Sequence, residues 1–447
     1  ADRSCDIKIK IMINTDKYKD KNIIIYGLGK TGISTYQALK ESNANIFIWD
    51  DDDSVRQELS KSGMEFVNPN DWPWEKMDIL IPSPGIPINY GKNSFIVEKV
   101  LEKGGIEILG DIELFYQNLK SSKVDKKIIA VTGTNGKSTF VTLLHQVLKE
   151  AGKKSYLIGN IGNPVLSVEP RNGNQIYIIE ISSFQIELIN QFKPDIAVLL
   201  NISEDHKERY SSFDEYRRAK IKIFSNMDSN DYAILNESLG YEDILDKINP
   251  LPKKIIVKDN NSFMESKFDL SSFSYKTLVP ALFSVTDIIN IQHKHVFKAL
   301  LNFKNLNHRT KEVYANKEIR FIDDSKATNP AAANFAINQY EDIYLILGGL
   351  SKQNDLRELN LSSKNINKAF FIGSSSNQLS KIAPEDLDFE VSGNLECATK
   401  SAYLAALKNK KGCILLSPGC SSLDEYRNFQ ERGNVFKKII NNLDIKC

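Results

Sequence analysis

Apolar residues occur along this chain in short unbroken runs, and between the runs they recur at the three-to-four-residue spacing of helices. The runs at 23–26, 45–50, 77–82, 127–133, 175–182 and 195–203 ("IIIY", "NIFIWD", "MDILIP", "KIIAVTG", "QIYIIEIS", "DIAVLLNIS") each read as a buried strand. Those at 231–236, 319–324, 342–349, 368–374 and 412–419 read the same way. A strand that is apolar on both faces belongs to a parallel sheet covered by helices, because a sheet with one wet face would alternate. The pattern predicts an α/β protein throughout, divided among several sheets. Polar interruptions at 117–123 ("QNLKSSK") and near 305 ("KNLNH") give expected segments 1–117, 118–305 and 306–447. No short-period repeat is visible.

The length of 447 residues agrees with about three domains of ~150 residues. Lysine plus arginine, 58, nearly balances aspartate plus glutamate, 57, and a net charge of +1 argues against a protein that holds nucleic acid by its phosphates. No apolar run approaches the ~20 residues of a membrane span, and no secretory pattern opens the chain. Cys5, Cys397, Cys413, Cys420 and Cys447 lack metal-ligand spacing, so reduced thiols and a cytoplasmic location are expected. Residues 1–11 ("ADRSCDIKIKI") precede Met12 outside the strand–helix pattern and are expected to be non-native and dispensable.

Two strand ends carry glycine-rich loops. Gly27-Leu28-Gly29-Lys30-Thr31-Gly32 has the spacing of a dinucleotide-binding turn, with Asp50 about twenty residues further on. Alone, it suits a nicotinamide, a flavin or any phosphate brought against the N–H groups of a helix start. Gly133-Thr134-Asn135-Gly136-Lys137-Ser138-Thr139 is more specific. Its backbone can cradle phosphates, Lys137 can neutralise β/γ charge, and a hydroxyl can reach Mg²⁺. Val131 stands where the common G-x-x-x-x-G-K pattern has its first glycine. Two such loops on one chain suit an ATP-driven enzyme with a second phosphate-bearing substrate.

Three further residues are open to two readings. Glu180 lies in an otherwise apolar strand, where a carboxylate needs a partner or a metal unless it faces solvent. His206 lies just past a strand end, where α/β sites gather, or is an ordinary loop histidine. Lys220 sits on the Tyr216 side of a helix that opens with a Ser212–Glu215 capping-box pattern, and its spacing alone suggests an exposed lysine.

The "GTNGKST" loop is similar to the shortened phosphate loop of the Mur ligases and their folylpolyglutamate synthase relatives, and the match continues along most of the chain. That resemblance implies three domains: a Rossmann-like N-terminal domain binding a UDP substrate, a central ATP-binding domain with a mostly parallel sheet, and a Rossmann-like C-terminal domain binding an amino acid. It implies ATP-dependent joining of a carboxylate to an amine. The loop residues from Gly133 to Thr139 would hold ATP, with Arg309 and Asp324 of "LNHRTKEV" and "IDDSKATNP" on the nucleotide side and His308 beside them. Positions matching Glu180, His206 and Ser138 would hold two Mg²⁺ ions together with Lys220, carbamylated by CO₂. Lys137, Glu180, His206, Lys220 and Lys326 would be the catalytic set.

The matches at "SPGIP" (83–87) and "GDIELFYQ" (110–117) turn the first glycine loop into a UDP-diphosphate site. Gly29, Lys30, Thr31, Gly32 and Ser83 would meet the UDP substrate, Asp50 its uracil end, and Asn160, Ser182 and Gln185 its acceptor part. The third segment most resembles the family branch that adds D-glutamate to UDP-N-acetylmuramoyl-L-alanine in peptidoglycan precursor synthesis. Thr328, Lys352, Ser422 and Phe429 would then contact D-glutamate. A monomer is expected.

The match departs from the family in one place. A G-x-H-N-x-x-N-x-x-A signature normally opens a helix beside the adenine, and 274–290 ("SYKTLVPALFSVTDIIN") carries none of it. Residues 260–280 also lack a convincing strand pattern. Two rival readings follow: another amino-acid ligase of the same superfamily, or a UDP-sugar binding protein that has lost turnover.

Overall fold

A computed structural model of the chain describes residues 16–89, 94–122, 125–168, 173–239, 251–258, 276–316, 318–351 and 356–443. Three α/β sheets organise them. The first contains β1 (Asn22–Tyr26), β2 (Asn45–Trp49), β3 (Ile79–Pro82) and β4 (Glu107–Ile108) in the order β2-β1-β3-β4, all parallel. The second contains β5 (Lys126–Thr132), β6 (Ser155–Gly159), β7 (Gln175–Glu180), β8 (Ile196–Leu199), β9 (Tyr232–Asn236) and β10 (Lys253–Val257), ordered β10-β9-β8-β5-β7-β6 and also parallel. The third contains β11 (Lys311–Ala315), β12 (Ile319–Asp323), β13 (Ile343–Gly348), β14 (Ile366–Ile372), β15 (Phe389–Gly393) and β16 (Gly412–Leu416), ordered β11-β12-β16-β13-β14-β15. Its first strand alone runs antiparallel.

By contact density the described chain forms two units. One holds the first two sheets and the helices up to Asn302; the other holds the third sheet together with the short stretch Ser203–Glu208. In the first unit a continuous apolar core runs from Ile23, Ile25 and Ile81 through Leu109, Ile112 and Phe115 to Ile128, Tyr177 and Phe192. The helix Asp111–Ser121 carries this core across the segment boundary expected at 117, so that boundary falls inside a helix. Its buried Glu113 accepts the backbone N–H groups of Asn190, Gln191 and Phe192 at 2.8–3.0 Å, a carboxylate seated in a small nest of donors. In the second unit, separate apolar layers cover the two faces of the third sheet, around Leu345 and Phe371 on one side and Phe321 and Phe370 on the other.

The strand order reverses beside β1 in the first sheet and beside β5 in the second. Ligands of open α/β sheets bind outside the carboxyl ends of strands at such reversals. Both glycine loops follow these two strands directly. Among the described residues no helix is long and apolar enough to cross a membrane. Cys397, Cys413 and Cys420 are free thiols, while Cys5, Cys447, the segment 1–11 and Lys352 lie outside the described residues.

Candidate active site

The first glycine turn has a steric reason for each of two glycines. Gly27 has φ +86°, and a Cβ there would meet the Ser83 Cβ at 2.8 Å. A Cβ on Gly32 would be driven into the Gly27 carbonyl oxygen, so the helix Lys30–Leu39 can approach the strand end only with glycine at that place. Gly32→Ala is expected to cost about 1–3 kcal/mol through this overpacking, read by chemical denaturation. Gly29 caps the helix without a side-chain bond, which leaves the first-turn N–H groups available to an anion, and Lys30 beside it is exposed. Thr31 is half-buried one position on.

Two residues expected to meet ligand also hold the turn itself. Asp50 accepts the Leu28 N–H at 2.6 Å and the Asp52 N–H at 3.0 Å. Ser83 donates to the Gly27 carbonyl at 2.7 Å.

The second loop is built between β5 and β8. The left-handed conformation of Gly136 (φ +83°) turns the chain into the helix Lys137–Glu150, again with no side-chain cap. Asn201, just past β8, clamps the loop: its side chain accepts the Asn135 N–H at 2.9 Å and donates to the Asn135 carbonyl at 3.0 Å. Its own carbonyl accepts the Thr134 N–H at 3.0 Å. Lys137 folds over the loop, with Nζ 2.6 Å from the Gly133 oxygen and 2.8 Å from that of Thr134. Ser138 and Thr139 are buried in the first helical turn.

Glu180 ends β7, beside β5 in the sheet. It is 1 % exposed, which removes the solvent-facing reading. Its Oε1 accepts from the Asn160 side chain at 2.9 Å, and its main-chain oxygen accepts the Asn160 N–H, also at 2.9 Å. Its Oε2 is buried with no hydrogen-bond partner among the described residues. An ionised oxygen in that state is costly unless a cation completes it.

Lys220 is likewise 1 % exposed, so the exposed-lysine reading fails. Its Nζ reaches the Gly133 carbonyl at 3.0 Å and lies 4.6 Å from the Tyr216 ring centroid. Tyr216 in turn shares a 3.1 Å hydrogen bond with Thr134 of the loop. The Ser212–Glu215 capping box forms by half: Ser212 accepts the Glu215 N–H, but the Glu215 carboxylate turns to the Ser211 N–H instead of that of Ser212.

Ser182 and Gln185 complete a true capping box around the helix Ser183–Glu187. Gln185 also bonds the fully buried Asp111, whose carboxyl is pushed up to about 6 by that burial.

In the second unit, a second group of polar residues collects past the ends of β12 and β16. Asp324 accepts the Thr310 N–H at 3.0 Å and the Ser417 hydroxyl at 2.8 Å. Burial pushes its carboxyl up to about 7, against the lowering effects of those bonds and of Arg309. A raised carboxyl stabilises the fold below the unfolded value and loses that contribution as pH rises through about 7. Asp324→Asn is therefore expected to flatten the loss of stability of this unit between pH 5 and 8, by at most about 3 kcal/mol, measured by denaturant titration at the two pH values.

His308, with φ +63°, bonds the buried Asp323 at 2.7 Å and gives its carbonyl to the Lys326 N–H. Lys326 holds its ammonium 4.2 Å from the Phe429 ring centroid. Thr328 is half-buried two residues later, and Ser422 is buried near the start of the segment leading to Phe429. His206, with φ +56°, shares a 3.0 Å bond with Glu208 in the stretch grouped with this unit. Among the described residues no three His, Cys, Asp or Glu side chains gather as a ready-made metal cage.

Sequence reading missed Asn201, the Tyr216–Thr134 bond and the His308–Asp323 pair. Asn201 had a usable signal, standing directly past an apolar strand. The other contacts join residues far apart in the chain and carry no local pattern. The segment expected to hold the adenine signature does open a helix, Val279–Ile288, but with Leu278 at its start, and that side chain packs 3.0 Å from where a Gly136 Cβ would stand.

Comparison with known proteins matches residues 131–294 to the Mur ligase middle domain. The UDP-N-acetylmuramoylalanine–D-glutamate ligase of Caulobacter vibrioides is 32 % identical over 97 % of this chain and 98 % of its own. That of Rickettsia prowazekii is 33 % identical over 94 % of this chain and 98 % of its own. Among solved structures, a MurF ligase from Thermotoga maritima in complex with ADP has TM-score 0.58 at 13 % identity, covering 96 % of this chain and 97 % of that one. The UDP-N-acetylmuramate–alanine ligase from the same organism has TM-score 0.56 at 17 % identity, covering 94 % and 99 %.

Proposed function

Since the chain belongs to the Mur ligase family, which works with ATP and Mg²⁺, we propose that it joins D-glutamate to UDP-N-acetylmuramoyl-L-alanine at the expense of ATP. This is a step of peptidoglycan precursor synthesis, carried out by a cytoplasmic monomer. The observation that carries the reading is the pair of phosphate-type turns, each at the strand-order reversal of its own sheet. One chain then holds two phosphate-bearing substrates at once. The division of labour is 1–117 for the UDP substrate, 118–305 for ATP and 306–447 for D-glutamate.

The reaction has two steps. An oxygen of the alanyl carboxylate attacks the γ-phosphorus of ATP, the bond to the β-phosphate oxygen breaks, and ADP leaves an acyl phosphate. The amine of D-glutamate then attacks the acyl carbon, loses a proton, and expels phosphate. Gly133 to Thr139 bind the triphosphate, and Lys137 and Lys326 stabilise the charge that spreads over the transferring oxygens. Arg309 and Asp324 meet the nucleotide. Gly29, Lys30, Thr31, Gly32, Asp50 and Ser83 orient the UDP end; Asn160, Ser182 and Gln185 orient the alanyl end. Thr328, Lys352, Ser422 and Phe429 take the amino acid, since a lysine and hydroxyls suit a dicarboxylate.

Mg²⁺ fits the residues present. Its preference for oxygen and for few protein ligands suits the Glu180 Oε2, which lacks a hydrogen-bond partner among the described residues, and the Ser138 hydroxyl. His206 and a carbamate on Lys220 would complete the sites for two ions, which would neutralise phosphate charge. A carbamate forms only on a neutral amine, and a lysine withdrawn from water is the kind that supplies one. Through the ion it holds, His206 would also help to stabilise the oxyanion of the second step.

The test is phosphate release from ATP in the presence of UDP-N-acetylmuramoyl-L-alanine and, in turn, D-glutamate, L-glutamate, L-alanine and diaminopimelate. Release is expected with D-glutamate alone. Release with another amino acid, or none with any, would overturn the reading.

A further inference from the structure

Arg209 is 6 % exposed and makes contacts that the proposed chemistry does not call on. Its guanidinium pairs with Glu187, Nη2 to Oε2 at 2.7 Å and Nε to Oε1 at 3.1 Å. It lies 4.5 Å from the Phe184 ring centroid. Those partners alone would satisfy a buried ion pair. The same planar group also donates to the Gly85 carbonyl at 3.2 Å and the Ile86 carbonyl at 3.3 Å. Both belong to the loop after β3 of the first sheet, whereas Glu187 ends the helix that follows β7 of the second.

That loop touches the first glycine turn. Ser83 holds the Gly27 carbonyl, and the Ile86 N–H bonds back to the Ser83 oxygen at 2.9 Å. On the other side, Glu187 also takes the Tyr210 hydroxyl. The Tyr210 ring lies 5.2 Å from that of Tyr216, whose hydroxyl reaches Thr134. A continuous line of hydrogen bonds and ring contacts thus joins the two glycine loops within one compact unit, and Arg209 is the member that crosses from one sheet to the other.

We propose that Arg209 is a positioning residue for the reaction: it fixes the loop 83–87, and through it the UDP-substrate turn, in register with the phosphate loop. The proposal rests on the ligase reading for the identity of the substrate, but its geometry predicts a binding effect that can be read without turnover. Only a planar fork of donors can meet a carboxylate and two carbonyls together. A lysine keeps the charge opposite Glu187 and loses the two-carbonyl grip.

The experiment compares wild type with Arg209→Lys and with the paired variant Glu187→Gln/Arg209→Gln, which leaves no stranded buried charge. Calorimetry gives the Kd of UDP-N-acetylmuramoyl-L-alanine and of ATP; steady-state assays give the three KM values. Both variants are expected to fold, to bind the UDP substrate at least tenfold more weakly, and to keep ATP affinity and the KM for D-glutamate within twofold. A structural role would weaken all substrates in parallel with the thermal midpoint. That parallel loss, unchanged UDP-substrate affinity, or failure of both variants to fold would each overturn the proposal. A wild type that binds both nucleotides without releasing phosphate refutes the ligase reading and leaves the Arg209 comparison intact.

Discussion

Replacing Lys137 by alanine is expected to lower phosphate release by on the order of a thousandfold or more while leaving the fold in place. The lysine sits in the first turn of a helix whose N-terminus lacks a side-chain cap, and its ammonium rests on the loop carbonyls of Gly133 and Thr134. Those carbonyls can accept other donors in the variant, so the stability cost should stay near ~1 kcal/mol. In the proposed reaction the catalytic cost is larger, because the lost charge would face oxygens whose negative charge is redistributed in the transition state. The effect should fall mainly on kcat, with a smaller rise in the KM for ATP. Measuring both constants and the thermal midpoint checks this. A variant that keeps a tenth of wild-type turnover would contradict the assignment of this loop.

Glu180→Gln separates stability from function in the opposite way. The glutamine carbonyl can still accept from Asn160, so the local scaffold is retained. What disappears is a buried acidic oxygen with no hydrogen-bond partner among the described residues. Removing an uncompensated buried charge is expected to leave stability unchanged or to raise it by about 1 kcal/mol. Activity should fall about a hundredfold or more, with a higher Mg²⁺ concentration needed for half-maximal rate. Thermal melts and rates across a Mg²⁺ titration test both halves. A destabilised variant of normal activity would mean that Glu180 is a packing residue.

The central strands were legible because they are apolar on both faces, as with Ile128–Val131 and Leu345–Leu347. Most sheet edges were not, Asn45–Trp49 being the exception. Ser155–Gly159, Lys253–Val257, Lys311–Ala315 and Phe389–Gly393 all lie at edges, and the short Glu107–Ile108 does too. An edge strand buries only part of its surface, so its polar positions break the run that marks a strand. Some runs also continue past their strands. The apolar stretch at 195–203 is a strand only over Ile196–Leu199, because the chain leaves the sheet at Asn201 to clamp the phosphate loop.

The glycine loops were legible for a local reason: Gly27, Gly133 and Gly136 all take positive φ, and a lysine–hydroxyl pair follows the last. Lys220 was legible only in part: its spacing from Tyr216 showed, but its burial against the Gly133 carbonyl joins distant parts of the chain and nothing local announces it. The same holds for Asp324, whose raised carboxyl comes from the way β12 and β16 bring Thr310 and Ser417 around it. The resemblance to the family singled out these residues where spacing did not.

The proposed reaction requires the two turns to hold different nucleotides. The most direct test is a crystal structure with an ATP analogue and UDP-N-acetylmuramoyl-L-alanine bound together. The triphosphate is predicted against Gly133 to Thr139, with Lys137 on its phosphates, and the uridine diphosphate against Gly29 to Gly32. Adenosine seated in the leading turn, with no phosphate near Lys137, would contradict it.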